Sequence, residues 1–188
     1  MRPHEVPTPG PAAGFGAELR GRLPVLETAR LRLRAPVLED FPLWAEIFCG
    51  PEGPMLGGPF TRDEVFREFA GAVGMWLLRG HGPWTVETRA GEDLAGEALG
   101  FVLIGFEPGD REPELGMMFA QAARGKGYAA EAARAARDHA FGAMGLPSLV
   151  SYIDPANAPS QRLAARLGTV RDGSVDEAEV WRHREGAA

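Results

Sequence analysis

The sequence predicts an α/β domain of the α+β type: a central, mostly antiparallel mixed sheet with flanking helices. Three observations carry this reading. Strand-like stretches cluster early, at Thr28–Arg34, Pro83–Thr88 and Glu97–Phe106, and the last two have no helix between them. A strand–helix–strand–helix unit follows, from Glu114 to Leu167. The order β α α β β β α β α, then β, lacks the regular alternation of a doubly wound sheet. With 188 residues, 45% of them hydrophobic, the chain suits one domain with an ordinary core.

Residues 1–22 are rich in Pro, Gly and Ala and show no apolar period, so a flexible N-terminal tail is expected, with the single domain spanning 23–188. In Thr28–Arg34 (T-A-R-L-R-L-R), Leu31 and Leu33 alternate with Arg30, Arg32 and Arg34, which is the period of a half-buried strand. Asp40 is placed to cap a short helix burying Phe41, Trp44, Ile47 and Phe48. Seven of the eleven residues Gly50–Phe60 are Gly or Pro, so a loop follows. Thr61 and Glu64 form a capping-box pattern that opens a helix carrying Val65, Phe66, Phe69, Val73, Trp76 and Leu77.

Between strands Pro83–Thr88 and Glu97–Phe106, Ala90–Ala95 reads as a hairpin turn. A polar loop, Glu107–Pro113, leads to strand Glu114–Phe119. An Ala-rich helix spans Gly127–Met144 and stops at Gly145 and Pro147. Ser148–Ile153 is a short strand, Asn157–Leu167 a helix ended by Gly168, and Thr169–Arg184 holds one or two strands around an acidic turn.

Composition excludes several classes. A net charge of −6 argues against generic nucleic-acid binding. The single cysteine, Cys49, allows no internal disulfide and fits a reducing, cytoplasmic setting. No apolar run approaches the ~18 residues of a membrane span, and Pro7, Pro9 and Pro11 interrupt any signal-like segment. His4, His81, His139 and His183 lack metal-ligand spacing, so no metal is expected.

The chemistry concentrates in Glu114–Phe141, where a strand runs through Arg124-Gly125-Lys126-Gly127-Tyr128-Ala129 into the Ala-rich helix. The first turn of a helix offers unpaired N–H groups and the positive end of the macrodipole, together an anion site. Glycines remove the Cβ atoms that would hold a phosphate away, and Arg124 and Lys126 add positive charge. A plain glycine turn before a stable helix is the blander reading. A P-loop fails because no Ser or Thr follows Lys126. Gly125-x-Gly127-x-x-Ala130 matches the dinucleotide fingerprint, with Asp154 ending the next strand, but that turn usually follows a fold's first strand.

The run R-G-K-G-Y-A resembles the acyl-CoA pyrophosphate loop of the GNAT superfamily of N-acetyltransferases, here Arg124-x-x-Gly127-x-Ala129. L-E-T-A-R-L-R-L-R (Leu26–Arg34) and N-A-P-S-Q-R-L-A-A-R-L-G (Asn157–Gly168) resemble the branch containing ribosomal-protein N-terminal alanine acetyltransferases. Three motifs in family order, over roughly residues 24–184, strengthen the likeness. The resemblance implies a GNAT-like acyl-CoA N-acyltransferase fold, with acetyl-CoA as co-substrate. The backbone of Met117, Met118 and Phe119 would hold the pantetheine and thioester. The amides from Arg124 through Gly125, Lys126, Gly127 and Tyr128 to Ala129 would hold the pyrophosphate. Asn157 and Ser160 would reach the pantetheine arm, and Asn157 also suits an N-cap.

Acyl transfer needs a neutral amine. An α-amine of pKa ~7.8 is roughly 10–15% neutral at pH 7, and a lysine of pKa ~10.4 about 0.04%, a gap of about 3.5 kcal/mol. A site without a strong base therefore favours weakly basic amines. Glu114, the one carboxylate on its strand, is the candidate base; a solvated glutamate at a strand start is the alternative. Many family members place a Tyr, as general acid, four residues before the glycine ending the last helix; here that position is Ala164. In the resembling branch a Ser at the helix start fills the role, which points to Ser160. Trp44, Phe66, Phe69 and Trp76 are expected in the core, and with Trp84 are candidates to line the acceptor pocket.

The expectation is therefore an acetyltransferase acting on a primary amine, either a peptide N-terminus or a small molecule, in a ternary complex without nucleic acid or membrane. A homodimer is left open. A non-catalytic acyl-CoA-binding or sensing module is the alternative, and a nucleotide-dependent oxidoreductase the third reading.

Overall fold

The structure is a computed structural model that describes residues 2–51, 53–90 and 96–186. Eight strands form one sheet: β1 (Leu26–Glu27), β2 (Leu31–Arg34), β3 (Pro83–Thr88), β4 (Ala98–Gly105), β5 (Glu114–Phe119), β6 (Val150–Ile153), β7 (Val170–Val175) and β8 (Ala178–Arg182). Their order is β1-β2-β3-β4-β5-β6-β8-β7. Neighbours run antiparallel except β5 and β6, which are parallel and register only at Glu114 opposite Val150. The helices are α1 (Pro11–Arg20), α2 (Phe41–Cys49), α3 (Arg62–Arg79), α4 (Tyr128–Phe141) and α5 (Ala158–Arg166). The mixed, mostly antiparallel sheet is the one expected. No helix is long and apolar enough to cross a membrane among the described residues.

Two apolar clusters sandwich the sheet. One joins α4 to Leu31, Leu33, Trp84, Val86, Val102, Ile104 and Leu115. Ala132, Ala133, Ala136 and Ala140 are fully buried there, and their small side chains let α4 lie close to the strands. The other cluster joins α2 and α3 to the opposite face through Phe41, Trp44, Val65, Phe69 and Phe101. Leu99 and Phe101, two residues apart, belong to different clusters. A register shift opposite Val86 and Glu87 explains this, because an extra residue in one strand inverts the alternation beyond it. Gly100 sits at that bulge; a Cβ there would meet the Met118 carbonyl oxygen at 2.3 Å.

Local signals hold where they are hydrogen-bonded. The Glu64 carboxylate accepts from the Thr61 N–H at 2.8 Å and the Thr61 hydroxyl accepts from the Glu64 N–H at 3.3 Å, so the capping box opens α3. Asp40 stands at the start of α2 but does not cap it with its side chain. Its buried carboxylate accepts instead from Arg34 (2.8 and 3.0 Å), the Thr85 hydroxyl (2.7 Å) and the Val37 N–H (2.8 Å). Within residues 1–22 the structure carries α1, which buries none of its residues. Pro11 at the first turn and several alanines favour a helix without an apolar period. Nearby, Glu5 is buried and accepts from Arg62 at 2.7 and 3.0 Å. Of the hairpin turn expected over Ala90–Ala95, residues 91–95 lie outside the described residues.

Candidate functional site

The site begins where β5 and β6 part. Beyond the Glu114–Val150 register the ladder stops, and side chains take its place. The Ser151 hydroxyl donates to the Leu115 carbonyl at 2.6 Å, and the Tyr152 N–H donates to the Glu114 carboxylate at 3.2 Å. Met117, Met118 and Phe119 pair on one side with Val102, Phe101 and Gly100, so their other edge faces the gap. Two cavities of about 330 Å³ each occupy this gap, sharing Met117, Met118, Asn157 and Ser160 in their walls. They form one cleft along the strand.

One end of the cleft is the glycine loop. Gly125 and Gly127 have φ of 75° and 82°, the left-handed region that glycine adopts without strain. The first backbone bond of α4 runs from the Glu131 N–H to the Gly127 carbonyl at 3.2 Å, which leaves the amides of its first turn unpaired. The Arg124 amide is already engaged, donating to Gln121 at 3.2 Å, so the free cradle starts at Gly125 and not at Arg124 as expected. The Arg124 side chain donates to the Phe119 carbonyl at 3.2 and 3.0 Å, joining the loop to the end of β5. Tyr128 is buried in the core and also lines this end of the cleft.

Two residues that the sequence reading left unassigned hold this loop. Arg30 donates to the Lys126 carbonyl at 3.0 Å and pairs with Glu131 through Nε (2.8 Å) and Nη2 (2.7 Å). Its guanidinium also lies 4.7 Å from the centre of the Tyr128 ring. Glu131 further accepts from the Arg30 N–H at 3.0 Å and the Thr28 hydroxyl at 2.5 Å. The signals were present: an arginine at the polar phase of the first strand, and a lone acid in the first turn of an alanine helix.

The other end carries Glu114. Burial pushes its carboxyl up to about 8; the Tyr152 N–H works against this, and the negative charges of Glu107 and Asp110 reinforce it. Across the gap, the Asn157 Oδ1 accepts from the Ser160 N–H at 3.2 Å and caps α5. Both residues also line the cleft. Ala164 is buried in the wall, where it offers no proton donor.

The Acetyltransferase (GNAT) domain model matches residues 30–170. The chain belongs to the GNAT acetyltransferase family. It is an N-acetyltransferase and so an acyltransferase enzyme. A Bacillus subtilis (strain 168) protein, YkkB, is 44% identical over 149 residues, which cover 76% of this chain and 83% of YkkB. An acetyltransferase from Agrobacterium tumefaciens str. C58 superposes with a TM-score of 0.80 at 35% identity, covering 87% of this chain and 95% of that one. Mycobacterium smegmatis RimJ, solved in complex with CoA-disulfide, shares the fold: TM-score 0.64, 21% identity, 86% of each chain covered.

Within this acetyltransferase, the cleft gathers Glu114, Met117, Met118, Phe119, Gly125, Gly127, Asn157 and Ser160. The aromatics proposed as pocket lining are not in it. Trp44, Phe69, Trp76 and Trp84 are buried in the two cores, and Phe66 packs against the second. The apolar wall comes instead from Phe48, Met55, Leu56 and Leu103. The short helical turn Gly53–Leu56 brings in Met55 and Leu56, and no periodicity in the sequence marks it.

Proposed function

We propose that this acetyltransferase moves an acetyl group from acetyl-CoA to a primary amine by direct attack within a ternary complex. The single observation that carries the reading is one cleft, opened by the β5–β6 splay, with free amides at one end and a carboxylate of raised pKa at the other. The residues present fit the co-substrate. The glycine loop leaves a cradle of unpaired N–H groups that a pyrophosphate needs. Lys126 adds charge, and the open edge of Met117–Phe119 suits the pantetheine amides. RimJ, which shares the fold, was solved in complex with CoA-disulfide, and this supports CoA as the co-substrate's carrier.

The chemistry follows from that placement. The amine nitrogen attacks the thioester carbonyl carbon, forming the C–N bond as the C–S bond breaks. Glu114 takes the proton that the nitrogen loses, directly or through one water. A carboxylate of pKa about 8 is a far better base than an ordinary one, so the preference for weakly basic amines inferred from sequence relaxes. Ser160 donates a hydrogen bond to the departing sulfur, which carries the electron pair and is finally protonated from solvent. Met117 and Met118 backbone groups orient the carbonyl.

The experiment is amine-dependent release of free thiol from acetyl-CoA, run beside calorimetry with CoA. Binding together with amine-dependent release is the expected result. Binding without release from any amine overturns catalysis; no binding overturns the cleft assignment.

A further inference from the structure

The opening between β5 and β6 is made by an exchange of partners. The Val150 N–H donates to the Pro113 carbonyl at 3.0 Å, the bond that accompanies the Glu114–Val150 register. A parallel ladder repeats every two residues, so its next bond would run from the Tyr152 N–H to the Leu115 carbonyl. Both groups are taken by side chains instead. The Tyr152 N–H donates to the Glu114 carboxylate at 3.2 Å, and the Leu115 carbonyl accepts from the Ser151 hydroxyl at 2.6 Å. Glu114 and Ser151 thus replace the two halves of one backbone bond. Were that bond made, the following one, from the Met117 N–H to the Tyr152 carbonyl, would cover the strand edge proposed for the pantetheine.

Ser151 has a second partner. The His183 Nε2 lies 3.0 Å from its hydroxyl oxygen, and both residues are buried. His183 follows β8, and its backbone N–H donates to the Leu149 carbonyl at 2.9 Å, which fixes it beside β6. A carbonyl only accepts, so the Ser151 proton goes to Leu115. The hydroxyl must then accept from His183, and Nε2 must carry the imidazole proton. Burial, and then the Arg137 charge on α4, pull the His183 pKa down to about 4, so at pH 7 the ring is neutral and holds one proton only. Its Nδ1 is left bare. It is the one buried side-chain polar atom without a hydrogen-bond partner among the described residues. The opposite tautomer would set two lone pairs face to face at Ser151 and bury the Nδ1 proton without an acceptor.

We propose that Ser151 and His183 are positioning residues for the reaction: His183, as the Nε2–H tautomer, directs the Ser151 hydroxyl onto the Leu115 carbonyl, which keeps the β5–β6 gap open and the Tyr152 N–H on Glu114. This rests on the reading of the gap as the CoA cleft and of Glu114 as the base, and it adds what holds them in place. The pair acts through Glu114 and the edge of β5, not on the reacting atoms. Without the hydroxyl, the buried Leu115 carbonyl lacks a donor, and the one in register is the Tyr152 N–H. Taking it adds a rung to the ladder and strips Glu114 of the donor that favours its charged form.

The first readout needs no turnover. Long-range proton–nitrogen correlation spectra of protein carrying isotopically labelled histidine should show His183 as the neutral Nε2–H tautomer at pH 7. The Nδ1–H tautomer or an imidazolium overturns the proposal. Ser151→Ala should weaken CoA binding about tenfold by calorimetry, as a rung closes over the binding edge. It should also move the rising limb of kcat/KM above its parental position at about pH 8, because Glu114 loses the Tyr152 donor while Glu107 and Asp110, the charges that raise it, stay in place. His183→Leu should shift both readouts the same way by less. His183→Gln, whose amide offers an N–H near the Nε2 position, should recover part of that loss. This pair carries the test where Ser151→Ala does not fold, and a Gln variant no better than Leu overturns the role of His183. A folded Ser151→Ala with parental CoA affinity and an unmoved limb overturns the inference and leaves acetyl transfer standing. A parent that binds CoA but turns over no amine overturns the acetyl-transfer reading and the link to Glu114; the tautomer and the CoA affinities of the variants then decide whether the pair holds the gap open.

Discussion

The two ends of the cleft are built on opposite plans. The loop end is backbone: contiguous amides from Gly125 into the first turn of α4, held in place by positive φ at two glycines. The acceptor end is side chain, and it is assembled from the α2–α3 connection, the β4–β5 loop, β5, β6 and α5. In the proposed function the first recognises a chemistry common to every CoA thioester, so it needs little beyond shape and N–H groups. The second, in the same proposal, distinguishes one amine from another, and it is made of charge and apolar surface brought together by the fold. One plan depends on what is missing from a residue, the other on what is added.

The sharpest way to break the loop end is Gly127→Glu. A side chain at φ 82° is strained, and a carboxylate there repels the pyrophosphate the loop is proposed to hold. Calorimetry should find CoA affinity reduced about 100-fold or more, with the acceptor end untouched. Gly125→Ala, at φ 75° but with nothing within 4 Å of its new Cβ, should lose far less.

Glu114→Gln strikes the opposite end. Loss of a general base costs about 10²-fold in kcat/KM. In the parent enzyme the rate should climb with pH up to about 8, as the Glu114 carboxyl gives up its proton; the variant should lose that limb. The same residue shapes stability. Its carboxyl is raised in the folded chain above its unfolded value of about 4.3. Between these two pH values the folded state holds the extra proton. Stability therefore falls as pH rises from about 4.3 toward 8. Glu114→Gln should flatten that slope in thermal melts, and an unchanged slope would remove Glu114 as its source.

The contrast also explains what the sequence revealed. The loop end was legible because its determinants are contiguous: Arg124 to Ala129 reads as a cradle wherever it falls, and only the Arg124 amide departs from that reading. Most element boundaries were legible for the same reason, as with the capping box at Thr61 and Glu64. At the acceptor end the sequence pointed to Glu114, the one carboxylate on its strand, to Met117 and Met118 on the same strand, and to Asn157 and Ser160 in the last of the three motifs. Glu107 and Asp110 lie in a polar loop that looks like any solvated turn until the sheet brings it beside β5. Met55 and Leu56 lie in a glycine- and proline-rich stretch with no period to read. Arg30 and Glu131 are about a hundred positions apart, and pairing across that distance leaves no trace in one sequence. Trp44, Phe66, Phe69 and Trp76 belong to the core, as their size and helical spacing predict; only the second reading, as pocket lining, fails, because those signals mark burial and not which cavity a residue faces.

Arg30 lets the loop end be perturbed without touching its amides. Arg30→Ala removes the support under Lys126 and takes from the partly buried Glu131 its ion pair, leaving it only the Thr28 hydroxyl and one backbone N–H. The expected effect is a rise of about tenfold in the KM for acetyl-CoA, with kcat changed much less, since the guanidinium acts on the loop and not on the reacting atoms. Arg30→Lys keeps a charge but loses the fork that reaches both partners, so it should fall between. A fall in kcat with KM unchanged would place Arg30 in the chemistry instead.

Ser160→Ala should give the smallest effect, and it tests where the two ends meet. A thiol of pKa ~8.5 is a tolerable leaving group without a proton donor. One hydrogen bond to the developing thiolate is worth about 1 kcal/mol, which is about fivefold in kcat. The substitution keeps the Ser160 N–H that Asn157 caps, so α5 and the melting temperature should hold. KM for acetyl-CoA should change little if Ser160 acts only on the sulfur as it leaves. If KM rises and kcat holds, Ser160 belongs with the backbone-binding end, as a contact to the pantetheine arm. The ratio of the two effects thus decides on which side of the cleft this residue works, and a Ser160→Cys variant, which restores a weaker donor, should recover part of whichever constant was lost.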